Sequence, residues 1–266
     1  MSSLDRLLSL LTFFGERQLS LTIAEAERLT GASRSSVYRY VRSLADAGLL
    51  APSADGSYVL GPRVMELERL MREHDPLLLA ARPIIRRQAE QAGLNIMLCS
   101  YYGSRVLCAD HAWPDTSVPE IYQRGRSMPI FSGAMAKAIL AHLPARQQRA
   151  IYSRNQEEAR VSGLAISWHE FRSEMARIRR AGIAVTHGEV VPGLVGLAAP
   201  LRDTAKRVLG SVVLVIGADR FSLMNEATLT ALLLSAAAEI DAALIVTAEL
   251  LDGQLTPPRR THRSLT

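Results

Sequence analysis

Cysteine is close to absent from this chain. Cys99 and Cys108 are the only two in 266 residues, too few for a disulfide scaffold, so a reducing cytoplasm is the expected setting. No uncharged apolar run of about 18 residues occurs, and the first residues lack the basic segment and apolar core of a signal peptide. Neither a membrane span nor a membrane partner is therefore expected. Chemistry-bearing motifs are missing too: no G-x-S-x-G turn, no H-E-x-x-H helix, no P-loop and no G-x-G-x-x-G. Six histidines are scattered without the spacing of a zinc site. On signals this sparse, Asp110-His111 and the His187/Glu189 pair read as surface or loop polar residues rather than metal ligands or acid/base couples. No catalytic residue, no metal and no cofactor is expected, and no internal repeat is present.

What is there has the balance of an ordinary globular protein, 48% hydrophobic and 21% charged. The length suits two domains, a small one of roughly 60 to 75 residues and a larger one. The net charge of +5 is no argument for nucleic acid. Residues 1–61 hold six arginines and six acids and are neutral, so the whole excess lies in the remainder, three charges of it in Arg259, Arg260 and Arg263. Local clustering is more informative.

That clustering lies in SRSSVYRYVRSLADA, residues 33–47. Ser33 is a good N-cap residue, and Gly48 stands where a left-handed C′ position wants glycine. Val37, Val41 and Leu44 form one apolar stripe. Ser35, Arg39 and Arg42 repeat that spacing on the opposite side, flanked by Arg34, Ser36 and Tyr38. A solvated helix face would mix glutamates with lysines; arginines, hydroxyls and a tyrosine suit phosphates and base edges. Upstream, Thr22-Ile-Ala-Glu25 is a capping box opening a short helix to about Thr30, and Gly31-Ala32-Ser33 makes a tight turn. Downstream, an Asp55-Gly56 turn between two apolar runs signals a β-hairpin. Helix, turn, helix and wing make a winged helix-turn-helix, whose second helix reads the major groove.

With these motifs in view, LTGASRSSVYRYVRSLADAGLL (29–50), YVLGPRVMEL (58–67), PIFSGAMAKAILAHLP (129–144) and IRRAGIAVTHGEVVPGLVGLAAPL (178–201) resemble the isocitrate lyase regulator (IclR) family of bacterial transcription factors. The resemblance runs from about Leu4 to about Leu251. It implies an α+β protein: a winged helix-turn-helix DNA-binding domain over 1–61, a linker helix over 62–75, and a GAF-like effector-binding domain over 76–252. A disordered tail is expected over 253–266. Implied partners are double-stranded DNA carrying a pseudo-palindromic operator, a small organic acid as effector, and further copies of the chain as a homodimer or dimer of dimers.

Within the second half, helices are expected at Leu77–Ala92, bent near Pro83, and at Phe131–Leu143, Pro144–Ser153, Trp168–Ala181 and Leu223–Leu251. Strands are expected at Asn95–Tyr101, Arg105–Ala109, Ile183–His187, Val195–Leu201 and Val208–Ile216, mostly antiparallel because the links are short. Taking Gly103-Ser104 as a two-residue loop opposes Tyr102 to Arg105 and Cys99 to Cys108. Alternation outward makes the cysteines a non-hydrogen-bonded pair, with Cα atoms ~4.5 Å apart. Two readings of that pair stand, thiols that close into a disulfide under oxidant or small core residues that never react. The second is favoured, since no cation adjoins either cysteine.

Gly188-Glu-Val-Val-Pro-Gly193-Leu-Val-Gly196 is a glycine-rich loop entering a strand. Its glycines serve either ligand approach or turn geometry alone. The family resemblance favours the first, and implies an effector site among Phe131, Ala134, Met135, Thr186, Gly196, Val213 and Val215. Here the chain departs from the common pattern. Phe131 stands where histidine is frequent, Thr186 where an acid often occurs, Gly196 where cysteine is usual, and Val213 and Val215 where serines alternate. A pocket with fewer donors and more valine favours an effector with apolar surface, such as an aromatic acid. Arg124 or Arg126 is a candidate to hold its carboxylate, against a plain surface role. The competing reading is an enzyme-like sensor whose winged helix binds protein; such a module would carry an apolar patch in place of the Arg39/Arg42 face.

Overall fold

The computed structural model describes residues 2–120 and 122–255. Residues 253–255 of the expected disordered tail instead continue the last helix, and from residue 256 on that expectation lies outside the described residues. The chain divides into two compact units, Met1–Asp75 and Pro76–Thr266.

The first unit contains α1 (Ser3–Ser9), a 3-10 turn (Leu10–Phe13), α2 (Ile23–Thr30), α3 (Arg34–Asp46), β1 (Leu50–Pro52), β2 (Tyr58–Leu60) and α4 (Pro62–His74). Leu4, Leu7, Leu8 and Leu11 fall at the spacing of a single helix, but it tightens at Leu10, where the Ser9 and Thr12 hydroxyls donate to the carbonyls of Arg6 and Ser9 at 2.7 Å each and compete with the helical ladder. The capping box of α2 is formed, with the Thr22 side chain accepting from Glu25 N and Glu25 reaching back to Thr22 N. Leu10, Leu21, Ala26, Val37, Val41, Leu44 and Leu50 make the core. Tyr40 joins them, its hydroxyl 2.9 Å from Ser3 Oγ.

The second unit is a six-stranded antiparallel sheet in the order β5-β4-β3-β8-β7-β6. Its strands are β3 (Asn95–Tyr102), β4 (Arg105–Ala112), β5 (Ser127–Met128), β6 (Ala184–His187), β7 (Leu194–Arg202) and β8 (Val208–Gly217), and its helices are α5 (Pro76–Ala92), α6 (Ala134–His142), α7 (Ala145–Arg154), α8 (Gln156–Val161), α9 (Trp168–Ala181), α10 (Ala218–Ser222) and α11 (Glu226–Leu255). Strand alternation sorts the core into two layers. Val212, Leu214 and Ile216 meet α5 and α11 on one face, while Met97, Val213 and Val215 meet α6 on the other. Within α11, Glu226–Leu250 is long and apolar enough to cross a membrane by length and composition. Its Leu229, Leu233, Ala237, Ile240 and Leu244 are buried in the first of these layers, as in the core helix of a globular unit.

Four details depart from expectation. The helix predicted from Phe131 begins at Ala134, because Gly133 takes φ 83°, a left-handed value that ends any helix entering from Phe131. The long helix predicted from Leu223 starts at Glu226, behind the separate short α10. The two-residue β5 and the short α8 carry too little pattern to be foreseen. The predicted β3–β4 register holds from Tyr102↔Arg105 to Cys99↔Cys108, then slips by one residue at Leu98, which faces Asp110.

Candidate functional site

Helix α3 ends as its sequence dictates. Gly48 has φ 70°, its N–H donates to Ala45 O at 2.8 Å, and Leu49 N donates to Leu44 O at 2.9 Å, the paired bonds of a Schellman stop. The start differs from expectation. Ser33 is the N-cap by position but makes no capping bond; its hydroxyl lies 3.2 Å from Ser35 Oγ and 3.1 Å from Ser36 Oγ. Arg39 Nη2 donates to Ser36 Oγ at 3.3 Å. The face is thus a short hydroxyl ladder leading to a guanidinium. Arg34 lies 5.9 Å from the Tyr38 ring centroid, and Arg42 reaches Asp46 only at 3.9 Å with side chains 84% and 73% exposed. Such exposed contacts are worth under about 1 kcal/mol, so neither arginine is committed within the chain. All seven residues picked from sequence (Ser33, Arg34, Ser35, Ser36, Tyr38, Arg39, Arg42) lie off the core, Ser36 in part and the others exposed.

The wing stands beside this face. β1 and β2 pair through Leu50↔Leu60, Ala51↔Val59 and Pro52↔Tyr58. Ser53 and Ser57 close the loop at 2.8 Å, and Gly56 N donates to Ser53 O. Gly56 alone in the turn has positive φ, which makes this a type I turn with a bulge. Tyr38, Arg39, Arg42 and Ala45 form one wall of an open groove of about 480 Å³, and Pro52 and Tyr58 the other.

In the second unit, cross-strand pairing places Thr186, Gly196 and Val215 in one row over β6, β7 and β8, through Thr186↔Gly196 and Gly196↔Val215. Val213 lies on the same face, opposite Met97 and Ala198. The start of α6 covers this row. Together Ala134, Met135, Thr186, Gly196, Val213 and Val215 line a cavity of about 30 Å³. Phe131 does not line it. It is fully buried with its ring edge-on to Phe171 at 6.3 Å, because the helix that would have carried it to the cavity starts three residues later. Arg124 and Arg126 are not among the lining residues either, and Arg124 donates to the Ala109 carbonyl.

Of the fourteen wall residues, Met97, Tyr122 and Gly133 were not foreseen, while Glu189, Val190, Val191, Leu194 and Val195 fall in the glycine-rich 188–196 segment without having been named singly. Glu189, read as a loop residue, is paired with Lys137 Nζ at 2.5 Å. His187 stands apart, its ring edge-on to Phe221 at 5.5 Å. The other pair read as surface polar residues is engaged as well, Asp110 by Arg82 Nε at 2.6 Å and His111 Nε2 by Glu120 at 2.8 Å. Among the described residues no group of three His, Cys, Asp or Glu is placed to hold a metal ion.

Cys99 and Cys108 are opposed and both free. The Cys108 N–H donates to Arg126 O and its carbonyl accepts from Gly125 N, so its backbone bonds point away from Cys99, as a non-hydrogen-bonded pair requires. Burial pushes both thiols up, Cys99 further through its neighbour Cys108, and Cys108 to about 12.

Residues 3–53 match the IclR helix-turn-helix domain and residues 71–242 the bacterial transcriptional regulator IclR C-terminal domain. A curated helix-turn-helix transcriptional regulator of Mycobacterium tuberculosis is 30% identical over 84% of this chain and 84% of its own. An IclR family transcriptional regulator from Brucella abortus superposes with TM-score 0.70 at 19% identity, covering 96% of this chain and 93% of that one. An IclR homologue from Microbacterium hydrocarbonoxydans, crystallised with 4-hydroxybenzoate, gives TM-score 0.68 at 19% identity over 92% of this chain and all of the other.

Proposed function

The chain belongs to the IclR family of bacterial transcriptional regulators, which join a helix-turn-helix DNA-binding domain to a C-terminal ligand-binding domain, and from that premise we propose that α3 reads an operator under control of an aromatic or similarly apolar organic acid bound over β6–β8. Its curated relatives are regulators, not enzymes. The observation that carries the reading is the α3 face, where Arg39 and Arg42 stand exposed beside a hydroxyl ladder and the wing groove. Ser33, Arg34, Ser35, Ser36 and Tyr38 approach phosphates near the helix start, and Arg39 and Arg42 reach base edges.

The apolar wall of the cavity supports an effector with a ring or branched chain, and the 4-hydroxybenzoate held by one structural relative is of that kind. At about 30 Å³ the cavity has room for roughly one water, so an effector of that size binds by opening it. Binding then selects among conformations that differ in operator affinity. Helix α4 has no buried residue and exposes Met65, Leu67, Leu70 and Met71, which supports pairing with a second copy and hence a two-fold operator. We place the protein in the cytoplasm. The test is selection of bound sites from random DNA duplexes, repeated with benzoate and 4-hydroxybenzoate. A pseudo-palindromic site whose occupancy changes with one of these acids supports the proposal; recovery of no sequence preference removes it.

A further inference from the structure

The buried start of α6 already holds a carboxylate. Gly133 is the N-cap of α6 and has no side-chain cap of its own; its N–H donates to Glu189 Oε2 at 2.9 Å. The other carboxylate oxygen, Oε1, accepts from Lys137 Nζ at 2.5 Å, one turn further along the same helix. Glu189 comes from the 188–193 loop between β6 and β7, bounded by Gly188 at φ 66° and Gly193 at φ 80°. Glu189, Val190 and Val191 of that loop all line the cavity.

Other polar groups around the cavity are unsatisfied. The N–H groups of Ala134, Met135 and Ala136, in residues at most 3% exposed, have no partner among the described residues. A helix start buried in this way calls for a ligand or its equivalent. Thr186 and Tyr122 line the same cavity, each 5% exposed, and their hydroxyls likewise have no partner among the described residues. Neither oxygen is fully enclosed, since among the described residues the one fully buried side-chain polar atom without a partner is His111 Nδ1; each therefore keeps some access at the small cavity that both residues border.

Resting on the effector reading above, we propose that Glu189 is an internal stand-in for the effector: the ligand is a monocarboxylate whose carboxyl group displaces Glu189 from Gly133 and Lys137, releasing the 188–193 loop. Both carboxylates need the same donors, the amide at the α6 start and the Lys137 ammonium, and two anions at one helix start repel each other. Displacement also turns the loop outward about its two glycines and widens the closed cavity, so ligand binding and loop opening are a single event. Thr186 and Tyr122 then meet the ligand's polar substituents.

The experiment titrates wild type, Glu189→Ala and Glu189→Gln with acetate, benzoate and phenylacetate by calorimetry, with benzamide as the uncharged shape of benzoate. Removing the internal competitor should tighten at least one carboxylate by roughly ten- to a hundredfold, the range set by a charge-assisted hydrogen-bond pair. Benzamide should change far less, because only an anion gains the freed Lys137. Hydrogen exchange should show the 188–193 amides less protected in Glu189→Ala without ligand, and in wild type once a carboxylate is bound. If no carboxylate binds Glu189→Ala more tightly than wild type, or benzamide gains as much as benzoate, the displacement is wrong. Gly196→Leu, which fills the cavity, separates the two claims. Binding that survives Gly196→Leu removes the effector reading itself; binding lost in Gly196→Leu but unaltered by Glu189→Ala removes only the displacement.

Discussion

Replacing Phe131 by alanine separates a core role from a ligand-contact role. The ring is fully buried and sits edge-on to Phe171 at 6.3 Å and 75°; Phe171 in turn stacks on Trp168 at 5.5 Å and 19°. Truncation removes one member of this aromatic group and leaves a void that α6 and α9 cannot close without shifting. A buried Phe→Ala change costs about 3–5 kcal/mol, a large part of the roughly 5–15 kcal/mol that holds a typical domain folded. The two tryptophans, Trp113 and Trp168, both lie in the second unit, so tryptophan fluorescence during guanidinium chloride unfolding reports that unit alone. The midpoint should fall by the equivalent of about 3–5 kcal/mol, while Phe131→Leu, which keeps most of the volume, should cost under about 2 kcal/mol. Operator response to the acid should be unaltered in the leucine variant. A midpoint within about 1 kcal/mol of wild type in Phe131→Ala, together with a lost response to ligand, would refute the placement of Phe131 in the core.

Further outcomes follow from other parts of the chain. Val213→Ser with Val215→Ser, both on the cavity wall, should shift preference from aromatic toward short polar acids in paired calorimetric titrations; unchanged selectivity would mean that these valines do not meet the ligand. Since burial raises Cys99 and brings Cys108 to about 12, both thiols should resist iodoacetamide at pH 8 in native protein and react on unfolding. A 99–108 crosslink after mild peroxide treatment, mapped by mass spectrometry, would show instead that the opposed pair is accessible to oxidant. Leu67→Glu with Met71→Glu on α4, where nothing is buried, should shift sedimentation toward monomer with unchanged circular dichroism; sedimentation like wild type would place the dimer contact elsewhere.

Much of this was legible in the sequence where local chemistry alone decides. The capping box of α2, the glycine stop of α3 and the β3–β4 pairing from Tyr102 to Cys99 all depend on residues within a few positions of one another. The β6–β8 row came from the family resemblance rather than from the strand pattern, and cross-strand pairing in the structure then puts Thr186, Gly196, Val213 and Val215 on a single face. Interactions across long separations were not readable. Glu189 meets Lys137 from 52 residues away, and neither residue type announces the other. Gly133 falls inside the segment predicted as helix, yet its left-handed backbone delays the helix start to Ala134, and Phe131 lies in the core rather than on the cavity wall. The register slip at Leu98 has no signature in the strand pattern either. Ser33, a good cap by type, spends its hydroxyl on Ser35 and Ser36 instead.

The assignment of α3 as the reading helix is tested most directly by the salt dependence of operator binding in Arg39→Ala and Arg42→Ala, compared with wild type on selected and scrambled duplexes. Loss of a base contact should weaken operator binding by about 1–3 kcal/mol and relax site preference, whereas loss of a phosphate contact should lower the salt slope by about one and leave preference intact. Either result in a correctly folded variant supports the assignment. Both variants binding the operator with the affinity, preference and salt slope of wild type would contradict it.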